Sequence, residues 1–132
     1  QRQMCIRDRR WFLKQLIGEM QHGVNEGLLL DMKRAATLIR EFADQMSFDE
    51  FRADLKTQSA VIHQFLLIGE VAKRLSEDFR KSNPEIPWSA MARMRDKLIH
   101  HYRGVDLREI WKASEQEIPK LLSFLSEHLP EQ

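Results

Sequence analysis

The sequence predicts an all-α protein, an up-and-down bundle of four to five helices. Three observations predict it. Apolar residues recur in alternating steps of three and four along most of the chain, the period of one helix face. Turn formers are scarce: five glycines and four prolines in 132 residues, whereas an all-β domain needs many more. Ser47 precedes Glu50, and Asp106 precedes Glu109, by the three residues that close a helix N-terminus.

The length suits one domain, and 42% hydrophobic with 31% charged residues is a globular balance. A single cysteine, Cys5, leaves no internal disulfide. The fold must then rest on packing, and a reducing cytoplasm is the natural setting. No run approaches the roughly 18 apolar residues of a membrane span. Arg2, Arg7, Arg9 and Arg10 are followed by no long apolar segment, so a secretory signal is not expected. The formal charge is only +1, so any anion binding must come from local clustering. No HExxH, paired CxxC, P-loop or GxSxG is present. Zinc hydrolase, NTPase and serine hydrolase readings therefore lack support, and neither a metal nor a cofactor is expected.

The elements follow in order. Residues 1–27 read as an atypical N-terminal extension. Trp11, Phe12, Leu16, Ile17 and Met20 line one face of a short helix weakened by Gly18, Gly23 and Gly27, and Gln1–Arg10 reads as a disordered lead-in. The domain proper spans 28–129. Leu28, Met32, Ala35, Ile39, Phe42 and Met46 form one apolar stripe. A short capped helix is expected over 48–54. The longest helix runs from Lys56 to Arg80 on Val61, Phe65, Ile68, Ala72, Leu75 and Phe79; Ile62, Leu66, Leu67 and Val71 widen its stripe almost all round. Such a helix is buried on most sides, at the centre of a bundle or of a dimer. Gly69 weakens it by about 1 kcal/mol and suits close helix approach. Pro84 ends it, because a residue before proline avoids helical geometry. Pro87 suits the first position of a fourth helix, Pro87–Tyr102, which stops near Gly104. The last helix carries Leu107, Ile110, Trp111, Ile118, Leu121, Leu122 and Leu125, with a kink expected at Glu115–Ile118 because Pro119 lacks an N–H.

The fourth helix holds the chemistry. Trp88, Met91, Met94, Leu98 and Ile99 fall on one side, and Arg95 and Tyr102, seven apart, share that apolar face. A guanidinium there is costly unless it snorkels, meets a carboxylate or lines a polar cleft. His100 and His101 sit at the helix end, where imidazolium suits the dipole. His100 lies about 140° round from Arg95. The two converge only if the helix end bends or Arg95 reaches round. Between 93 and 108, Arg93, Arg95, Lys97, Arg103 and Arg108 face only Asp96 and Asp106, a local formal charge of +3. This permits phosphate binding, and a solvated face explains it as well. His63 and Glu70, seven apart on the least apolar side of the long helix, are candidate supporting groups or simply an exposed polar pair.

The stretch Arg95-Asp-Lys-Leu-Ile-His100-His-Tyr102 resembles the R-x4-6-H motif of the HEPN superfamily. It is closer still to the R-x4-H-x-Y form of HepT-like (DUF86) toxins. Ile68-Gly-Glu-Val-Ala-Lys-Arg-Leu-Ser76, Pro84-Glu-Ile-Pro-Trp88, Met94-Arg-Asp96 and Gly104-Val-Asp106 agree with it in order and spacing. The resemblance covers about Leu28–Leu125. It implies a HEPN-type bundle that dimerises so that both motifs face one cleft. It implies a metal-independent ribonuclease toxin acting on RNA, with tRNA or mRNA as candidate substrates. Arg95 and His100 would be catalytic; Asp96, His101, Arg93, Lys97, Arg103, Glu70 and His63 would support them or contact phosphate. It also implies an antitoxin partner, a MntA-type minimal nucleotidyltransferase that transfers AMP to Tyr102. His101 offers an alternative x5 spacing from Arg95, and Arg93 to His100 an x6 spacing. The residue types suit the reaction. Histidine can take or give a proton near neutral pH, and arginine binds phosphate through two parallel donors. Two rivals stand beside this reading. One is a non-catalytic HEPN module that binds nucleotide, RNA or a nucleotidyltransferase; the other is a helical adaptor with a structural Arg95.

Overall fold

The computed structural model describes residues 6–130, and among them the chain is helical with no strand. Helix α1 spans Ile6–Phe42, α2 Phe48–Ala53, α3 Leu55–Arg74, α4 Glu77–Ser82 and α5 Trp88–His100. A 3-10 turn, Tyr102–Gly104, leads to α6, Leu107–Lys112, which continues through a π turn, Ala113–Glu117, into α7, Ile118–His128. The all-α bundle is as the periodicity requires. Its four limbs are α1, α3, α5 and the α6–α7 limb, and α2 and α4 are short links. No helix of the described residues is long and apolar enough to cross a membrane.

Helix α3 is the centre. It packs against α1 on one side and α5 on the other, and α7 returns along α1. Val61, Ile68, Val71 and Ala72 meet Met32, Ala35 and Ile39 of α1 and Leu121 and Leu125 of α7 in one buried cluster. Phe79, Trp88 and Phe124 close the end of the bundle with tilted and edge-on ring contacts of about 6 Å. The Trp88 Nε1–H finds the Asn83 carbonyl at 3.0 Å. Exposure on α3 is limited to Leu67 among its stripe-widening residues, with Ile62 and Leu66 half-buried.

The structure differs from the sequence reading at several boundaries. Helix α1 runs through Gly18, Gly23 and Gly27 without interruption. Ile6–Arg10, read as a disordered lead-in, are helical, and Gln1–Cys5 lie outside the described residues. Trp11, Ile17 and Met20 are exposed, while Asn25 is only 7% exposed. Asn25 is tied to the bundle: its Nδ2–H donates to Ser76 Oγ at 2.9 Å, and its Oδ1 accepts the Ser76 N–H at 3.1 Å.

The helix expected over Lys56–Arg80 is two helices. Leu75 turns to extended geometry, ψ 142°, and Ser76 then caps α4 by accepting the Phe79 N–H. Glu77 and Asp78 in that first turn suit the helix dipole. Pro87 stands at the N-cap of α5 instead of inside it, and α5 ends at His100 with His101 as its C-cap. Tyr102 therefore lies beyond α5 and does not share an α-helical face with Arg95. The short capped helix is present in full: Ser47 Oγ accepts the Glu50 N–H, and Glu50 Oε1 accepts the Ser47 N–H, each at 3.1 Å.

The kink expected before Pro119 is a π turn. The Ile118 N–H bonds to the Ala113 carbonyl, five residues back. That shift strands the Ser114 carbonyl, which Arg40 of α1 takes through Nη1 at 3.1 Å, while the same guanidinium pairs with Glu115 at 3.3 Å. Proline's missing donor is thus absorbed by one wide turn and one long arginine instead of a break.

Gly69 lets α5 come in close. A Cβ placed there would lie 2.3 Å from Arg95 Cβ and 2.9 Å from the Met91 carbonyl oxygen. Both are fixed parts of a helix and cannot swing away. Gly69→Ala is expected to lose about 1–3 kcal/mol of stability from overpacking, although alanine adds about 1 kcal/mol of helix propensity. Urea unfolding reads the sign, and a raised midpoint would mean that α5 stands off α3.

Candidate active site

The close approach at Gly69 sets Arg95 against α3, half-buried with its side chain 26% exposed. Its Nε donates to Glu70 Oε2 at 2.9 Å and its Nη1 to Asp96 Oδ1 at 3.1 Å. Each carboxylate is shared. Glu70 Oε1 accepts from Arg74 Nε at 3.1 Å, and Asp96 Oδ1 accepts from Lys73 Nζ. The result is a chain of alternating charge: Arg74, Glu70, Arg95, Asp96, Lys73. Three cations on two carboxylates leave it formally at +1. Pairing answers the cost of a guanidinium on an apolar face. It also holds the Arg95 plane still, a prerequisite for two-pronged phosphate recognition.

The Lys73 hydrogen bond is the main cause that holds the Asp96 carboxyl below its ordinary value of 3.8; desolvation opposes it, and the Lys73 charge and then the Arg95 contact add to the lowering.

A second feature lies beside α5. An open groove is lined by Arg93, Asp96, Lys97, His100, His101 and Glu109. Lys97 Nζ reaches Glu109 Oε2 at 3.2 Å, which ties α5 to α6. His100 and His101 are exposed at the last turn of α5, where a protonated ring suits the helix dipole. The groove therefore sets two imidazole rings beside two cations, Arg93 and Lys97, and two carboxylates, Asp96 and Glu109. That is the equipment for proton transfer next to a bound phosphate.

The structure brings some of the sequence-nominated residues together and separates others. Arg93, Asp96, Lys97, His100 and His101 line one groove. Arg95 points to α3 and joins that groove through Asp96, which belongs to both. The helix end does not bend to bring Arg95 and His100 onto one face. Glu70 pairs with Arg95 directly, whereas His63 is exposed on α3. Arg103 is exposed in the 3-10 turn. The Tyr102 side chain lies outside the described residues. Sequence reading did not single out Lys73 and Arg74. Their spacing of three and four from Glu70 marks one charged helix face, but only α5 decides that they serve Arg95 and Asp96.

The Asp96 shift sets a pH signature. Its folded pKa is depressed, so its contribution is present above 3.8 and is lost as pH falls through the lower folded value. The stability gap between wild type and Asp96→Asn is expected to stay flat from pH 7 to about 4. It should then shrink below that. Denaturation midpoints across this range test it, and a gap that closes already by pH 5 would contradict the shift.

Comparison with known proteins accords with this arrangement. The family described as "Ribonuclease HepT-like" matches residues 32–128. A protein of Thermococcus cleftensis named "Probable ribonuclease HepT" is 50% identical over 93 residues, 70% of this chain and 84% of that protein. A Methanocaldococcus jannaschii protein named "Putative RNase" is 46% identical over 89 residues, 67% of this chain and 74% of that protein. No solved structure matches. The matched region holds α2 to α7 and most of the packed part of α1, including every residue of the Arg95 charge chain and the His100 groove: the chain belongs to the HepT-like ribonuclease family.

Proposed function

We propose that this chain cleaves RNA without a metal ion, as a homodimer whose two protomers each contribute Arg95 and His100 to one cleft. The observation that carries this reading is the link through Asp96. It couples an arginine held rigid on α3 to an exposed groove of two histidines, an arginine and a lysine. Arg95 is the phosphate anchor. Arg93, Lys97, His101 and Arg103 add positive charge along the strand, and Glu70 positions Arg95. His63 is a peripheral supporting group at most.

In the reaction one histidine takes the proton of a 2′-hydroxyl, whose oxygen attacks the adjacent phosphorus. The bond from phosphorus to the 5′ oxygen breaks, and a second acid returns a proton to the leaving oxygen. One His100 from each protomer supplies base and acid. What supports a dimer is apolar surface left on the two central helices: Leu67 on α3 and Ile99 on α5 are each 43% exposed.

The same reading makes the chain the toxin of a cytoplasmic toxin–antitoxin pair, with tRNA or mRNA as its substrate. A MntA-type nucleotidyltransferase neutralises it by joining AMP to the Tyr102 phenol. The adduct adds about one negative charge and competes with RNA phosphate. A second reading, a non-catalytic HEPN module, draws on one observation: Glu70 and Asp96 already occupy Arg95.

Cleavage assays separate the two. Arg95→Ala and His100→Ala are each expected to lower the rate about 10²–10⁴-fold, with helical circular dichroism unchanged. EDTA is expected to leave the wild-type rate intact. Wild-type cleavage by both variants would end the catalytic assignment, and loss of activity in EDTA would end the metal-free mechanism.

The partner reaction has its own test. Wild type incubated with the nucleotidyltransferase, ATP and magnesium is expected to carry AMP on Tyr102 and to lose activity. Tyr102→Phe is expected to do neither. Mass spectrometry that places AMP on other residues alone would refute this role for Tyr102.

A further inference from the structure

A second groove opens between α5 and the α6–α7 limb, with α3 as its floor. Helix α5 packs on α3 and α7 on α1, and the Lys97–Glu109 pair joins α5 to α6. Phe65, Ile68, Met91, Met94, Ala113 and Ile118 line it. Phe65, Ile68 and Ile118 are buried floor, and both methionines are partly exposed. Its space, about 280 Å³, lies at the small end of ligand sites.

Two features indicate an occupant. The first is continuity. Ala90, Met94 and Glu109 belong both to this groove and to the one that carries Arg93, Lys97, His100 and His101. The second is charge. Beyond the shared Glu109, which pairs with Lys97, the rim of the apolar end is Lys112 and Glu117, one cation and one carboxylate that balance and offer a phosphodiester no net attraction. A strand crossing both ends would leave its phosphate at Arg93 and Lys97 and present something neutral and flat to the methionines above the buried Phe65. Polarizable thioethers and aromatic rings suit a base face. Glu117 and Lys112 offer an acceptor and a donor to a base edge. The π turn forms one wall through Ala113 and Glu117, and such turns concentrate at functional sites.

We propose that this groove is a nucleobase subsite: it takes one unstacked base of the RNA whose phosphate sits at Arg93, Lys97 and His100. The inference rests on the RNA-cleaving reading, and its test is independent of turnover.

The full-length protein, labelled with ¹³C at the methionine methyls, is titrated with the four common ribonucleoside 5′-monophosphates and, separately, with ribose 5-phosphate. The nucleotides are expected to shift the Met91 and Met94 methyl resonances, and ribose 5-phosphate is expected to leave them in place. Ala113→Leu fills the groove from a wall that does not line the His100 groove. It is expected to abolish the methyl shifts and to lower kcat/KM on single-stranded RNA about tenfold, the scale of one lost base stack. His100→Ala is expected to keep the nucleotide-induced shifts. Cleavage by that variant at the wild-type rate would overturn the catalytic reading without touching the subsite. Three results overturn the subsite itself: no methyl shift with any nucleotide, equal shifts with ribose 5-phosphate, or shifts on dilution alone, which would mean that a second copy of the chain covers the groove.

Discussion

Everything at the candidate site depends on how closely α5 lies on α3, and Gly69 is the constraint that allows it. With no side chain there, the Arg95 Cβ and the Met91 carbonyl come up against the α3 backbone itself. At that separation the Arg95 head falls next to Glu70, and Asp96 falls within reach of Lys73. The ion pairs do not pull the helices together. They are partly solvent-accessible, and pairs open to solvent contribute about 0–1 kcal/mol each. Apolar burial around Ile68, Val61 and Leu98 supplies the adhesion. The charges then fix the orientation of the Arg95 guanidinium between Glu70 and Asp96.

The opposite wall has a separate origin. Pro119 cannot donate, and the chain answers with a π turn whose freed carbonyl is taken by Arg40 of α1. That bond fastens the α6–α7 limb to α1 and not to α5. The limb meets α5 through the Lys97–Glu109 pair, and the apolar groove runs between them over the buried Phe65 and Ile68 of α3.

Charge is distributed to the same end. The whole chain is nearly neutral at +1, so long-range attraction of RNA is weak. The cations instead gather around α5, where Lys73, Arg74, Arg93, Arg95 and Lys97 face only Glu70, Asp96 and Glu109. A local excess of this kind is screened by salt over about 10 Å.

Sequence alone determined the all-α class, the central apolar helix and the Ser47 capping box, and it singled out Arg95 as a charge on an apolar face. Each is a local property: a period of 3.6, a cap three residues from its partner, or a charge on an apolar face. Sequence also held signals that a longer pattern masked. The apolar stripe runs on through Leu75 to Phe79 across the break, which Ser76 marks by capping α4 and by its reciprocal bonds with Asn25, far away in the chain. Tertiary structure alone decided what Arg95 touches, that it and His100 face different ways from one helix, and that α5 ends before Tyr102. The physical reason is that a helical period sets directions around one axis only. What lies in each direction depends on the distance to the next helix, which is set by side chains such as the one Gly69 lacks.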